Sequence, residues 1–141
     1  MAEQTDETKR FEPSSIRETL AWVEELGSDG WARVRMPVCQ RHRNAPTQTA
    51  VVQGGVVISL ADRALVNVSN SVLAKGFTTA IIELKANLIA AISEGELIAK
   101  CRLIHRGRRL HVGDIEVRDG IGPLIAKVSG TILVIEPRGA E

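Results

Sequence analysis

Residues 56–74, VVISLADRALVNVSNSVLA, run nineteen positions without proline or glycine. Val57, Leu60, Ala61, Ala64, Leu65 and Val68 recur there at helical spacing. At 100° per residue their arc is about 160° wide, broader than the apolar stripe of a surface helix. A helix of that kind is buried on more than one side, so the rest of the chain has to wrap it. Gly54-Gly55 opens the segment and Lys75-Gly76 closes it.

The downstream sequence supplies the wrapping. Residues 79–90, 96–106, 109–119 and 123–136 are β-rich runs, parted by Ser93-Glu94-Gly95, Gly107 and Gly120-Ile121-Gly122. Short connections predict an antiparallel meander. In the last run Leu124, Ala126, Val128, Ile132 and Val134 share a face. The third run slips phase between Leu110/Val112 and Ile115/Val117, which predicts a β-bulge at Gly113. Upstream, Trp31, Arg33 and Arg35 alternate with Ala32, Val34 and Met36 as in a half-buried strand. Before it, Ser15 and Glu18 form a capping-box signature. Ile16, Leu20 and Val23 then follow at helical spacing, and Gly27 is the expected stop. Residues 1–12 read as a flexible polar tail and 13–141 as one domain. The predicted class is α+β: a short N-terminal helix, and a long central helix wrapped by an antiparallel sheet of five to six strands.

Composition narrows the function. The 18 Lys and Arg against 17 Asp and Glu leave a formal charge of +1, without the basic excess of a nucleic-acid or anionic-membrane binder. Aromatics are 3 %, namely Phe11, Trp22, Trp31 and Phe77, too few for a base-stacking platform. Cys39 and Cys101 make no CxxC, and Cys39 with His42 is no more than half a metal set, so no metal is expected. The polar start MAEQTDETKR is unlike a signal peptide, and no apolar run reaches the ~20 residues of a bilayer span. A reducing, cytoplasmic setting is the expectation.

Several local sequences resemble one family. QGGVVISLADRA (53–64), IELKAN (82–87), IHRGRRLHVGDIEVR (104–118) and LIAKVSGTILVI (124–135) are similar to the motifs of PaaI-like acyl-CoA thioesterases. That resemblance implies the hotdog fold and hydrolysis of an acyl-CoA thioester to free acid and CoA. It implies Asp62 as general base or nucleophile and Gly54 and Gly55 as an oxyanion site. No cofactor is implied, since coenzyme A belongs to the substrate. Three positions depart from the family: Gln53 stands where it has His, Thr47 or Asn44 where it has a loop Asn, and apolar Ile81 where a polar side chain is common.

The residues themselves leave two readings at each place. Asp62 falls at the margin of the apolar arc, beside Ile58, Leu65 and Ser69 and away from Arg63 and Asn67. It is either a helix-border acid bonded to Ser59 or Ser69, or a partly desolvated base. Gly54 and Gly55 are either a turn into the core or helix-start N–H donors open to a thioester carbonyl. Gln53, Asn44, Thr47, Gln48 and Ser69 are candidates for orienting substrate or water. Arg106, Arg108 and Arg109 form either a solvated turn or a site for the phosphates of coenzyme A. His42, His105 and His111 have no acidic partner legible in the sequence.

Spacing adds a constraint. Eight residues of helix put Gly54 and Asp62 ~12 Å apart, too far to serve one carbonyl. Two antiparallel helices across a two-fold axis solve this, so a homodimer with shared sites is expected, as the resemblance also implies; pairing of two dimers stays open. The other readings are a non-catalytic acyl-CoA-binding module and a hotdog dehydratase or hydratase. The latter chemistry employs a His beside the acid, and none lies between Arg43 and Ile104.

Overall fold

In a computed structural model, residues 15–139 are described. The order is α1 (Ser15–Leu20), β1 (Val23–Leu26), β2 (Trp31–Pro37), a 3-10 turn (Gln40–His42), α2 (Gly54–Ser71), β3 (Thr78–Leu88), β4 (Glu96–Arg106), β5 (Leu110–Asp119) and β6 (Leu124–Ile135). The tail expected over residues 1–12 lies outside the described residues, as does the Ser15 side chain expected to cap α1.

One six-stranded antiparallel sheet, ordered β1-β2-β4-β5-β6-β3, curves around α2. Leu60, Ala61, Ala64 and Leu65 are fully buried against Val34 and Met36 of β2, Leu97 and Ala99 of β4, Ile115 and Val117 of β5, and Val128 and Ile132 of β6. A sheet needs one face covered and α2 needs most of its circumference covered, so each satisfies the other. This is the hotdog arrangement. No helix among the described residues is long and apolar enough to cross a membrane.

The sheet comes in close to α2 at Leu65. Gly113 and Gly130 pair across β5 and β6, and a Cβ on either would come within 2.4 Å and 2.6 Å of Leu65 methyl carbons. Glycine is what lets the sheet bend that tightly onto the helix.

The structure corrects three expectations. The N-terminal helix stops at Leu20, where Ala21 takes φ +56°, and the chain turns into strand β1. Val23 is therefore a 54 % exposed strand residue, and Gly27 belongs to the β1–β2 turn, donating its N–H to Trp31 O at 2.9 Å. Next, β3 is no part of the meander: it crosses to the far edge and pairs with β6. Lastly, β5 holds its phase, with His111, Gly113, Ile115 and Val117 all inward. The irregularity lies opposite, on β4 between Leu103 and His105, where Ile104 is the extra residue. Inward positions filled by a histidine and a glycine concealed the period.

Candidate active site

The start of α2 is held from below and capped from above. Gln53 donates its N–H to His42 O at 2.9 Å, while Val52 donates to Ile92 O at 2.8 Å. His42 is itself buried: its Nδ1 accepts the Cys39 N–H at 3.0 Å, so Nε2 carries the proton and donates to Leu20 O at 2.8 Å. Burial pushes its pKa down, opposed by the Leu20 bond and aided by Arg41. Gln53 is the N-cap, its main-chain O and side-chain Oε1 accepting the Val56 N–H at 2.9 and 3.2 Å, and its O accepting the Val57 N–H at 3.4 Å. The two N–H groups before these, on Gly54 and Gly55, have no acceptor within the helix.

A side chain on either glycine would displace the free end of a neighbouring one. A Cβ on Gly55 would stand 2.7 Å from Gln53 Oε1, and one on Gly54 would stand 2.8 Å from Leu88 Cδ1. Asn44, Thr47 and Gln48 lie exposed on the loop that returns to this helix start, fastened by an Arg43–Val52 bridge and an Asn44 N–H to Val51 O bond of 2.9 Å.

Asp62 lies two turns further along, half-buried in a cleft of about 270 Å³ that it shares with Ile16, Trp22, Ile58, Ser59 and Arg63. Among the described residues its carboxylate has no hydrogen-bond or ion-pair partner. Both serines that offered it a structural role are committed elsewhere. Ser59 donates to Gly55 O at 2.8 Å, and Ser69, fully buried, is 2.5 Å from His111 Nδ1. Desolvation raises the Asp62 pKa above the ordinary carboxylate value, with Arg63 pulling the other way. This is the environment of a base that water can still reach.

The arginine hairpin sits at the other end of α2. Arg106 donates to Val72 O at 2.9 Å, Arg108 lies 3.4 Å from Glu136, and Arg109 is exposed. Ten residues separate Val72 from Asp62, so ~15 Å of helix axis. One chain thus carries its glycine start, its acid and its arginines at three stations along α2. Of these three, the acid lies in the cleft.

Four residues of this region escaped the sequence reading. Glu24 of β1 is buried and accepts Arg63 Nε, Asn67 Nδ2 at 3.1 Å and, from α1, an Arg17 guanidinium nitrogen at 3.3 Å. Arg63 and Asn67, off the apolar arc of α2, are bound by Glu24 of β1. Trp22 forms a wall of the cleft. The signal was a period of two over Trp22, Glu24 and Leu26, hidden beneath the helical spacing of Ile16, Leu20 and Val23.

Comparison with known proteins decides the lineage. Residues 49–126, which carry α2 through the start of β6, match the model of the thioesterase superfamily. The chain belongs to that superfamily. A protein of Archaeoglobus fulgidus named as a candidate esterase is 34 % identical over 105 residues, 74 % of this chain and 64 % of that protein. The match covers 64 % and 60 % of the two curated relatives, so this thioesterase-superfamily chain spans under two thirds of their length. Among solved structures, a mutant thioesterase of Staphylococcus aureus is 28 % identical with a TM-score of 0.80, covering 86 % of this chain and 99 % of that one. The PaaI protein of Escherichia coli shares the fold at 22 % identity, with a TM-score of 0.80 over 92 % of this chain and 91 % of its own.

Proposed function

We propose that the protein is an acyl-CoA thioesterase working as a homodimer, with each site built from the Asp62 of one chain and the Gly54-Gly55 start of the other. The observation that carries this is the Asp62 carboxylate, without a partner among the described residues and desolvated in a cleft, on the same helix whose first N–H groups have no acceptor within the helix. A carboxylate fixed for structural reasons has donors around it; this one is kept for something that arrives.

Shared sites are supported by the edge of the sheet. Eleven-residue β3 is an edge strand with one side unpaired, and Ile82, Leu88 and Ile89 on or beside it are exposed. An unpaired edge of that length is a template for another strand. Antiparallel pairing of β3 with its copy sets the two α2 helices side by side in opposite directions and closes the ~12 Å gap from acid to glycines.

In this reading the Gly54 N–H, aided by that of Gly55, polarises the thioester carbonyl. Asp62 takes a proton from a water whose oxygen bonds to the carbonyl carbon. Collapse of the adduct breaks the C–S bond, and the proton passes to the departing CoA sulfur. Alternatively Asp62 itself attacks, giving a mixed anhydride that water opens. Gln53 and the loop residues Asn44, Thr47 and Gln48 border the carbonyl end, Ser69 supports the helix through His111, and Arg106, Arg108 and Arg109 take the phosphates of CoA.

The test is Asp62→Asn assayed for thiol release from a panel of acyl-CoAs. Loss of at least ~10³ in kcat with an intact dimer is expected; near wild-type turnover would falsify the mechanism. Binding of acyl-CoA by the wild-type protein with no thiol released leaves a binding module in its place.

A further inference from the structure

Arg63 directly follows Asp62 and lines the same cleft. Successive helix positions face different ways, yet both side chains reach this cleft, where the Arg63 charge is felt by Asp62. The guanidinium itself is held elsewhere. Its Nε donates to Glu24 Oε1, and Glu24, its side chain fully out of solvent, also holds Asn67 and Arg17. A buried carboxylate with three donors from two helices is a costly feature for a fold to keep, and the proposed chemistry does not itself touch it.

We propose that Glu24 is a positioning residue of the site: by binding the Arg63 guanidinium on the β1 side of α2, it keeps that cation off the Asp62 carboxylate and leaves the acid open to water and substrate. This rests on the reading of Asp62 as the base.

The surroundings make Arg63 the decisive charge. On α2, Arg63 is the charged side chain that shares the cleft with Asp62. From α1 come Arg17, held by Glu24, and exposed Glu18; from β1 come Glu24 and Glu25. Glu25 is taken up by Arg33, whose Nε donates at 2.8 Å, and by Arg35 at 3.4 Å. The buried inward side chains of β2, β4 and β6 are uncharged: Ala32, Val34 and Met36, then Leu97, Ala99 and Cys101, then Ala126, Val128 and Ile132. Burial pushes the Cys101 thiol up to about 12, so it stays neutral. On β5 the inward titratable group is His111, which is engaged by Ser69 two turns along α2. On β3, Glu83 and Lys85 are exposed. Among the described residues, Arg63 is therefore the charge whose release acts on Asp62.

The experiment titrates the Asp62 carboxyl carbon by NMR in the intact protein, alongside kcat/KM against pH. Glu24→Gln frees Arg63 to pair with Asp62. Proton affinity of Asp62 then falls about tenfold or more, the acid limb of kcat/KM moves to lower pH with it, and the plateau drops. Glu24→Gln with Arg63→Gln removes the intruding cation and returns both titrations toward wild type. A role for Glu24 in folding alone moves neither. Should Glu24→Gln fail to fold, Glu24→Asp keeps the buried charge but shortens its reach, and a smaller fall in the same direction is expected. Asp62 titrating as in wild type in the folded variant, or no return in the double variant, overturns the proposal. A moved titration that the kcat/KM limb does not follow upholds the hold of Glu24 on Arg63 and rejects Asp62 as the base.

Discussion

At the scale of single residues, Gly54 permits an unusual test of a backbone donor. It is the first residue of α2, where proline is well tolerated because its missing N–H has no helical acceptor to lose. Proline also restricts the residue before it to extended backbone, and Gln53 already sits at φ −62°, ψ 133°. The ring would press on Leu88 Cδ1, the free end of a side chain 52 % exposed and able to yield. Gly54→Pro is thus expected to delete one N–H while leaving the helix in place. If that N–H faces the oxyanion, kcat falls ~10²–10³-fold with KM little changed. A folded Gly54→Pro protein with undiminished kcat excludes the Gly54 donor.

At the scale of elements, the small N-terminal unit is fastened to the body by polar contacts. Arg41 donates to Thr19 O at 3.1 Å, His42 Nε2 to Leu20 O at 2.8 Å, and Arg17 to Glu24. The neutral ring makes both of its bonds: protonation of Nδ1 removes the acceptor for the Cys39 N–H while Nε2 goes on donating to Leu20 O, and burial disfavours the charged ring. Burial lowers its pKa below the unfolded value of 6.5, and the same holds for His111. The unfolded chain therefore binds protons more readily, so this stability is intact above pH 6.5 and is lost as pH falls from there through the folded pKa values. Tm is expected to be flat from pH 8 to 7 and to drop below pH ~6.5, as the unfolding free energy falls by up to about 1.4 kcal/mol per pH unit for each histidine. His42→Gln should flatten part of that fall; an unchanged acid slope in this variant removes His42 from the account. The same region shows where the sequence stops being readable. The α2 segment and the four β runs were legible because apolar residues dominate one face and glycines mark the turns. Residues Ile16–Leu26 satisfy both a helical and an alternating pattern, and the choice was made by Glu24, whose burial needs partners 39 and 43 residues away. Asp62 was legible as a marginal acid, whereas its isolation from Ser59 and Ser69 depended on Gly55 O and His111, which no local pattern reveals.

At the scale of the whole molecule, the sharpest consequence of shared sites is complementation. If each site takes Asp62 from one chain and the Gly54 N–H from the other, the Asp62→Asn and Gly54→Pro homodimers have two defective sites apiece. A heterodimer of the two variants gathers both defects into one site and leaves the other wholly wild type. Equal amounts, dissociated and reassembled at random, give half heterodimers, so about a quarter of the wild-type sites return by the symmetry of a two-fold interface. Activity of the mixture should rise from near zero to that level, as fast as subunits exchange. Sites contained within one chain predict no gain, because every chain in the mixture is already broken. The exposed apolar edge at Ile82, Leu88 and Ile89 supplies the control. A charge at Ile82 that holds the protein monomeric should prevent the recovery, even with Asp62 and Gly54 intact on separate chains.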